Sequence, residues 1–291
     1  MFYRPRHRTR NPAKSLIRIL VFAVLLVMLI YPFAEPFMLE TETVSLTSSD
    51  LPADVGQLRI VYLSDIHAGP FFSQARVEKL VRTVNRLNAD IVLLGGDYAT
   101  DSAGAVSFFE NLPALNSRYG VFGVMGNHDR TIPESNLSQL KSAMISAGVT
   151  PLINQVAGVR IGASSIYIAG IDDWHNGWPQ LEATAAQVRA EDYVIFLSHS
   201  PAAIASAHKA TDMNGRHIWF DLGLFGHTHG GQIALMGDIL NIAKVEDRYQ
   251  KGWLVENRTN MLISRGVGTS ILPIRIGNKP QVHLINVRST Q

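Results

Sequence analysis

The 291-residue sequence predicts an α/β fold in which two mixed β-sheets pack as a sandwich and helices flank them, giving four layers. Short apolar runs rich in β-branched residues alternate with helical patterns through most of the chain. After residue 230, only short strands separated by Gly, Asn or Pro turns follow. An uncharged apolar stretch near the N-terminus adds a predicted transmembrane helix to this fold.

The predicted N-terminal helix rests on residues 19–34, which read ILVFAVLLVMLIYPFA and carry no charge. Sixteen residues rise about 24 Å as a helix, and flanking apolar residues bring the segment close to the ~30 Å hydrocarbon core. We therefore expect a single-pass anchor over residues 19–38. A cleaved signal peptide and a buried core helix are the alternatives. No Ala-x-Ala-like cleavage site lies near residue 34, and the run has no polar face.

Charge is distributed unevenly along the chain. Residues 1–18 hold six of the 26 Lys and Arg residues and no acidic residue, which leaves 20 basic and 24 acidic residues elsewhere. Because positively charged flanks stay in the cytoplasm, we expect a basic cytoplasmic head and an extracytoplasmic (periplasmic) catalytic domain. The predicted organisation is a head at 1–18, the anchor at 19–38, a connector at 39–56 with one short strand at 43–46, and a catalytic domain at 57–291.

Strands and helices alternate within the predicted catalytic domain. Apolar residues at helical spacing predict helices near residues 77–87 and 137–144. Apolar, β-branched runs predict buried strands at 58–64, 91–95, 121–125, 167–171, 194–198 and 222–226. The β-rich end adds strands at 231–237, 251–257, 260–264 and 281–287.

Residue types that bind metal ions follow several of these strands, where each strand enters a loop. The carboxyl ends of strands in an α/β sheet are where ligand-contacting loops meet, so five segments deliver such side chains to one edge. Within Asp-x-His and His-x-His, an extended backbone would direct both side chains to one side. Unrelated turn caps are the alternative, since Asp and Asn favour loops. The side chains are Asp65, His67, Asp97, Asn127, His128, His199, His227 and His229.

Five ordered motifs identify a family resemblance. They are SDIH at 64–67, GDY at 96–98, GNHD at 126–129, SHS at 198–200 and GHTHGG at 226–231. Together they resemble the calcineurin-like metallophosphoesterases, over about residues 57–287. The segments LRIVYLSDIHAGPF and SRGVGTSILPIRIG are similar to the membrane-associated bacterial branch that includes the YkuE and YaeI phosphodiesterases. The resemblance implies the metallo-dependent phosphatase fold and hydrolysis of a phosphate ester.

The resemblance also implies a binuclear centre with two divalent ions. The implied ligands are Asp65, His67 and His229 for one ion, Asn127, His199 and His227 for the other, and Asp97 as the bridge. Since the chain has no cysteine, the ligands are oxygen and imidazole, which suit Mn, Fe, Zn or Mg. Such a pair of ions activates water for in-line attack on phosphorus. His128 is the implied catalytic residue, which protonates the leaving oxygen.

One position departs from the family pattern. Many relatives place an Asp three residues after the bridging carboxylate, where it orients the catalytic His, but this chain has Thr100 there. Asp101 and Asp129 are the two candidates for that role, and the sequence does not choose between them.

Three further groups have an open role. His175 and the pair Asp172 and Asp173 follow a predicted strand, so either substrate contact or an ordinary turn explains them. Arg265 and Arg275 suit bidentate pairing with a phosphate, and surface salt bridges explain them equally well.

The expected function is hydrolysis of a phosphodiester or pyrophosphate bond on a membrane- or envelope-associated substrate, of the lipid-linked or UDP-sugar-lipid type. A nuclease-like phosphodiesterase and a non-enzymatic metal-binding scaffold of the same fold are the alternatives. The net negative body argues against nucleic-acid binding, which depends on clusters of Lys and Arg. The full ligand set and the presence of His128 argue against a scaffold. No protein partner is indicated by the sequence.

Overall fold

The computed structural model describes residues 12–131, 134–235, 238–239 and 243–291. Within these residues there are six α-helices, which are α1 Pro12–Ala34, α2 Gln74–Asn85, α3 Ser102–Glu110, α4 Glu134–Ser146, α5 Leu181–Ala185 and α6 Ile204–Ala207. The strands of the first half are β1 Glu40–Ser48, β2 Gln57–Leu63, β3 Ile91–Leu94, β4 Val121–Gly123, β5 Val149–Pro151, β6 Gln155–Ile161 and β7 Ser164–Gly170. Those of the second half are β8 Val194–Leu197, β9 Leu222–Phe225, β10 Ala234–Leu235, β11 Asp238–Ile239, β12 Gly252–Glu256, β13 Thr259–Ile263 and β14 Gln281–Ser289.

Two six-stranded sheets form the centre of the protein. The first has the strand order β1-β14-β2-β3-β4-β5, and the second has the order β12-β13-β9-β8-β7-β6. Parallel pairs dominate both sheets, and the antiparallel pairs β14–β2, β6–β7 and β12–β13 make both of them mixed. A two-stranded ribbon of β10 and β11 stands apart from the sheets.

Alternating residues of the central strands divide the core into layers. On β2, Ile60 and Tyr62 pack in the cluster between the two sheets, which also contains Ile195 of β8. Val61 and Leu63 point the other way, into a cluster that includes the apolar faces of α2, α3 and α4. A third cluster lies between the outer face of the second sheet and α5 and α6. Each buried aliphatic side chain contributes about 1.5–3 kcal/mol relative to exposure. The predicted four-layer sandwich is confirmed.

Helix α1 precedes the sandwich and exposes its apolar side chains. Residues 13–37 are long and apolar enough to cross a membrane, and none of the residues in their most apolar stretch is buried in the structure. The C-terminal end of this segment nevertheless packs on the catalytic domain. The backbone N–H of Arg275 donates to the carbonyl of Pro32 (3.0 Å), and the buried carboxylate of Glu35 accepts the N–H groups of Gly277 (3.0 Å) and Asn278 (2.7 Å).

Several elements differ from their sequence prediction. The short strand expected at 43–46 is the nine-residue β1, which pairs in parallel with β14 and extends the first sheet. The domain boundary at residue 57 stays a prediction. Helix α3 and strand β6 were not predicted from the sequence. The α3 sequence, SAGAVSFFE, lacks a clear apolar stripe at helical spacing, and the β6 sequence, QVAGVRI, forms a half-exposed edge strand. Residues 1–11 of the predicted head and 236–237 of a predicted strand lie outside the described residues.

Candidate metal centre

Loops after five strands bring the predicted ligands together. Asp65 and His67 follow β2, Asp97 follows β3, Asn127 follows β4, His199 follows β8, and His227 and His229 follow β9. Three strands of the first sheet and two of the second therefore meet at one edge of the sandwich. Three groups of side chains offer ligand atoms within 4.8 Å of one another. They are Asp65, His67 and His229; His67, Asp97 and His128; and Asp97, His199 and His227.

The first group is buried and closely spaced. The Nε2 atoms of His67 and His229 are 3.1 Å apart, and Nε2 of His229 lies 3.7 Å from Oδ1 of Asp65. Two ring nitrogens at this distance need a proton or a cation between them, because their lone pairs repel. A carboxylate and two imidazoles are also a donor set that divalent transition ions accept. These residues therefore fit a metal ion.

The second group surrounds His199. Its Nδ1–H donates to the carbonyl of Gly95 (2.8 Å), which leaves Nε2 facing Oδ2 of Asp97 (3.3 Å), Oδ1 of Asn127 (3.2 Å) and Nδ1 of His227 (3.3 Å). A carbonyl that holds the far ring nitrogen is the usual support of a metal-binding imidazole. The second group therefore fits a metal ion as well.

Asp97 lies between the two groups. Its Oδ2 atom is 3.3 Å from Nε2 of His199 and 3.5 Å from Nε2 of His67. Its other oxygen, Oδ1, accepts the backbone N–H of His128 (2.9 Å), which fixes the orientation of the carboxylate. One carboxylate oxygen thus faces histidines of both groups.

Five of the seven predicted ligands have a left-handed backbone. The φ angles are 55° at Asp65, 48° at His67, 55° at Asp97, 69° at His227 and 52° at His229. The extended backbone expected for Asp-x-His is therefore wrong: both residues of the pair turn sharply at the strand end. Non-glycine residues in this region cost on the order of 1–3 kcal/mol each, and such strain concentrates at functional sites.

Two glycines allow these loops to approach the carboxylates. A Cβ atom at Gly226 would lie 2.5 Å from Oδ2 of Asp65, and a Cβ atom at Gly126 would collide with the carboxylate of Asp97. Only glycine, which has no Cβ atom, fits the close backbone approach at these two positions.

Burial and mutual charge set the ionisation of the cluster. Burial lowers the pKa of His67 to about 4 and that of His227 to about 3, and burial beside His67 takes the pKa of His229 well below its usual value. These rings are therefore neutral at pH 7, which is the form that binds metal. Burial alone would lower the pKa of His199 and raise that of Asp97, but their mutual attraction outweighs burial. The pKa of His199 is raised well above its usual value, and that of Asp97 is lowered.

His128 is oriented by a backbone carbonyl. Its Nδ1 atom lies 2.9 Å from the carbonyl oxygen of Thr100, and since a carbonyl only accepts, Nδ1 carries the proton. The ring packs edge-on against His67, with ring centroids 4.9 Å apart, and lines the cleft at the site. Asp101 instead caps α3 by accepting the N–H of Gly104 (2.8 Å).

The carboxylate of Asp129 binds backbone N–H groups rather than a histidine ring. Its carboxylate accepts the N–H groups of Asp97 (2.7 Å), Gly126 (2.8 Å) and Tyr98 (3.1 Å), so it joins the loops after β3 and β4. Neither aspartate proposed from the sequence contacts the ring of His128. The group that contacts the ring is the carbonyl of Thr100, three residues after Asp97.

The loop after β7 supports the second group from outside. The ring of His175 stacks on His227 with centroids 4.8 Å apart, and its Nε2 lies 3.0 Å from Oγ of Ser200. The side-chain amide of Asn176 donates to the carbonyl of Asn127 (2.9 Å). Asn176 is a contact that sequence reasoning missed, because nothing in its local pattern distinguishes it from a turn residue.

The aspartates of this loop have structural partners. Asp172 pairs with Arg130 (3.1 Å) and accepts the N–H of Trp178 (3.0 Å), while Asp173 accepts the N–H groups of His175 (2.9 Å) and Asn176 (2.6 Å). The turn interpretation describes both carboxylates.

Arg275 is a buried residue, and the surface salt bridge considered for it is wrong. Its guanidinium is fully enclosed and donates to the carbonyls of Gly268, Asn278 and Arg265. It also lies 3.4 Å from Nδ1 of His229. Arg275 therefore holds the loop around one candidate ligand in place.

Comparison with known proteins identifies the family. The calcineurin-like phosphoesterase family matches residues 58–231, which is more than half of the chain. The chain belongs to the calcineurin-like metallophosphoesterases, and it is a phosphoesterase of the hydrolase class. The family binds divalent metals, in agreement with the His and Asp clusters described above.

Three relatives illustrate the match. The chain is 30% identical over 266 residues to the uncharacterized metallophosphoesterase YkuE of Bacillus subtilis (strain 168), covering 89% of this chain and 88% of that protein. It is 28% identical over 235 residues to the phosphodiesterase YaeI of Escherichia coli (strain K12), covering 79% and 82%. It is 30% identical over 259 residues to a Bos taurus transmembrane protein with a metallophosphoesterase domain, covering 82% of this chain but only 55% of that protein.

Proposed function

We propose that the protein hydrolyses a phosphodiester or pyrophosphate bond with two divalent metal ions, on a membrane- or envelope-associated substrate of the lipid-linked or UDP-sugar-lipid type. The observation that carries the proposal is the position of Asp97, with one carboxylate oxygen 3.3–3.5 Å from histidines of two adjacent ligand groups. The phosphodiesterase name of the Escherichia coli relative supports a diester substrate. The apolar helix α1 supports a membrane location.

The metal ions supply Lewis acidity toward the phosphoryl oxygens and activation of water. The chain's own residues hold the groups in place. Asp65, His67 and His229 form one ligand set, Asn127, His199 and His227 form the other, and Asp97 joins them. These ligands include six imidazole and carboxylate side chains. Four of the six are at most 3% exposed, so their ligand atoms have little contact with bulk water; they are Asp65, Asp97, His67 and His199.

His128 is assigned the transfer of a proton to the leaving oxygen. Because its Nδ1–H is held by the carbonyl of Thr100, the Nε2 atom is the one that exchanges the proton. A general acid of this kind typically contributes about 10²–10⁴-fold to the rate.

The test is a hydrolysis assay of purified, metal-loaded, full-length protein with bis(p-nitrophenyl) phosphate, followed by a screen of lipid and nucleotide-sugar phosphates. Asp97→Ala should abolish activity and lower the number of bound metal ions measured by elemental analysis. His128→Ala should keep both ions, and its loss of rate should be larger for an alkyl than for a nitrophenyl leaving group, because only the alkoxide needs protonation.

A histidine outside the cluster provides the matched control. His217 is exposed, and its Nδ1 lies near the carbonyl of Lys209, so His217→Ala should leave activity within about twofold. Full activity in Asp97→Ala, or an equal loss for both leaving groups in His128→Ala, would refute the corresponding assignment.

The positive-inside rule supports an extracytoplasmic catalytic domain. A C-terminal fusion to a reporter that is active only outside the cytoplasm should give signal. A silent fusion that is stably expressed would reverse the orientation.

A further inference from the structure

The cleft at the metal centre has a second, apolar side. Its volume is about 580 Å³, and its polar lining includes His128 and five of the seven candidate ligands, which are His67, Asp97, Asn127, His227 and His229. Its apolar lining includes Phe71, Ile233, Ile271 and Leu272. Phosphate chemistry needs no such wall, so the apolar side is available to the organic part of the substrate.

The apolar residues at the lip of this cleft are exposed. Ile271 is 76% exposed, Phe71 is 51% exposed and Leu272 is 50% exposed. Large apolar side chains that are exposed together around a binding cleft mark an interaction surface rather than a packing surface.

Both halves of the lip are bonded to the end of the membrane helix. On one side, the guanidinium of Arg76 donates to the carbonyls of Phe71 (2.7 Å) and Pro36 (2.5 Å). The same guanidinium lies over the ring of Phe37, 4.4 Å from its centroid. The loop that carries Phe71 is thus tied to the last residues of the apolar segment.

On the other side, the loop that carries Ile271 and Leu272 is tied to the same segment. The N–H of Arg275 donates to the carbonyl of Pro32 (3.0 Å), and Glu35 accepts the N–H groups of Gly277 and Asn278. Glu35 and Arg275 are both fully buried, so these contacts do not compete with water.

These contacts connect the cleft to the end of the proposed membrane-crossing segment. With residues 13–37 as the membrane-crossing segment of the proposed function, residues 32–37 lie where this segment leaves the hydrocarbon. Because the lip is bonded to residues 32–37, the lip lies at the same level. At that level, the exposed apolar side chains of the lip would face lipid rather than water.

We propose that the cleft opens onto the membrane surface and holds the hydrocarbon part of a lipid phosphoester against Phe71, Ile271 and Leu272. This inference rests on the proposed function and specifies its substrate class. The phosphate of such a lipid lies at the headgroup level, beside the candidate ligands, while its apolar part remains continuous with the bilayer. The substrate therefore does not have to leave the membrane for hydrolysis.

The first test measures depth in the membrane. Because the chain has no cysteine, Ile271→Cys in the full-length, membrane-reconstituted protein carries a single nitroxide label. Relaxation by oxygen, which concentrates in lipid, should exceed relaxation by water-soluble chromium oxalate. Ile145→Cys on α4, where the native side chain is 63% exposed, is the matched control and should show the reverse order. Preferential relaxation of the label at 271 by chromium oxalate would overturn the proposal.

The second test measures chain-length preference. In nanodiscs, kcat/KM for p-nitrophenyl alkyl phosphates should rise at least tenfold from ethyl to octyl, because each methylene gains apolar contact. The double variant Ile271→Ser/Leu272→Ser should lose most of this ratio, while Ile145→Ser should retain it. An unchanged ratio in the double variant would refute the assignment of the apolar wall. Complete inactivity of every metal-loaded form would refute the proposed function instead, without changing the position of the label.

Discussion

Asp101 and Asp129 give the sharpest test of the site geometry, because the sequence offered both for one role and the structure gives them two different ones. Asp129→Ala removes the acceptor of three buried backbone N–H groups in the loops that carry candidate metal ligands. Each unpaired buried donor costs about 1–3 kcal/mol, and neighbouring losses do not add fully. We expect about 3–5 kcal/mol of destabilisation, which for a domain of this size lowers Tm by roughly 10 °C.

The same substitution should reduce activity. Asp129 joins the loop that carries Asp97 to the loop that carries Asn127 and His128, and a displacement of about 1 Å in a catalytic geometry costs about 10²-fold. Asp129→Asn keeps one oxygen but turns an amide toward one N–H donor. It should therefore be intermediate, with about 1–3 kcal/mol of destabilisation.

Asp101→Ala removes only a helix cap. The loss of an N-cap costs about 1 kcal/mol, so Tm should fall by roughly 2–4 °C and activity should stay within about threefold of wild type. Thermal unfolding followed by tryptophan fluorescence, together with phosphodiester hydrolysis at matched metal loading, measures both effects. If Asp101→Ala lost activity as severely as Asp129→Ala while remaining stable, Asp101 would orient His128 and our interpretation of the carbonyl contact would be wrong.

Two further predictions concern metal binding. Loading metal-free protein with Mn²⁺ at pH 7 should release about one proton per chain, because the raised pKa of His199 keeps its ring protonated until a cation displaces the proton. Calorimetry in two buffers of different ionisation enthalpy measures the number of protons released. Zero release would contradict the assignment of His199 as a metal ligand. Gly226→Ala places a Cβ atom 2.5 Å from Oδ2 of Asp65, so the Mn²⁺ affinity measured by titration should fall at least tenfold. The control is Gly158→Ala, whose added Cβ atom would have its nearest neighbour 3.5 Å away and which should bind Mn²⁺ normally. Equal affinities of the two variants would show that the loop at Gly226 can move to accommodate the Cβ atom.

The elements with strong local signals could be predicted from sequence. The runs that became β2, β3 and β8 are apolar on both faces because each is buried between two layers, and α2 shows its apolar stripe at Val77, Leu80, Val81 and Val84. Edge strands could not be predicted equally well. β1 alternates half-buried and exposed residues and is stabilised by pairing with β14, a contact across more than 200 residues that no local pattern contains.

The ligand types of the site could be predicted, but the atoms that support them could not. Motif order indicated Asp97 and His199, and their roles stay predictions until the metal content of variants is measured. The carbonyl groups of Gly95 and Thr100, which fix the rings of His199 and His128, are present in every residue type. A backbone acceptor therefore leaves no sequence signal. The side-chain pattern instead indicated the nearest aspartates, Asp101 and Asp129, as partners of His128.

Arg275 links the end of the apolar N-terminal segment to the candidate metal centre. An arginine near a glycine-rich tail is usually a surface residue, yet here the guanidinium fills a buried space between loop carbonyls and approaches His229. The chain of contacts runs from Glu35 to the N–H of Asn278, from the carbonyl of Asn278 to Arg275, and from Arg275 to the loop that surrounds the first ligand group. Left-handed residues on these loops are unfavourable by themselves, so buried polar contacts of this kind are needed to hold them. The end of α1 is therefore part of the framework that positions the candidate ligands, and under the proposal above the same contacts orient the cleft toward the bilayer.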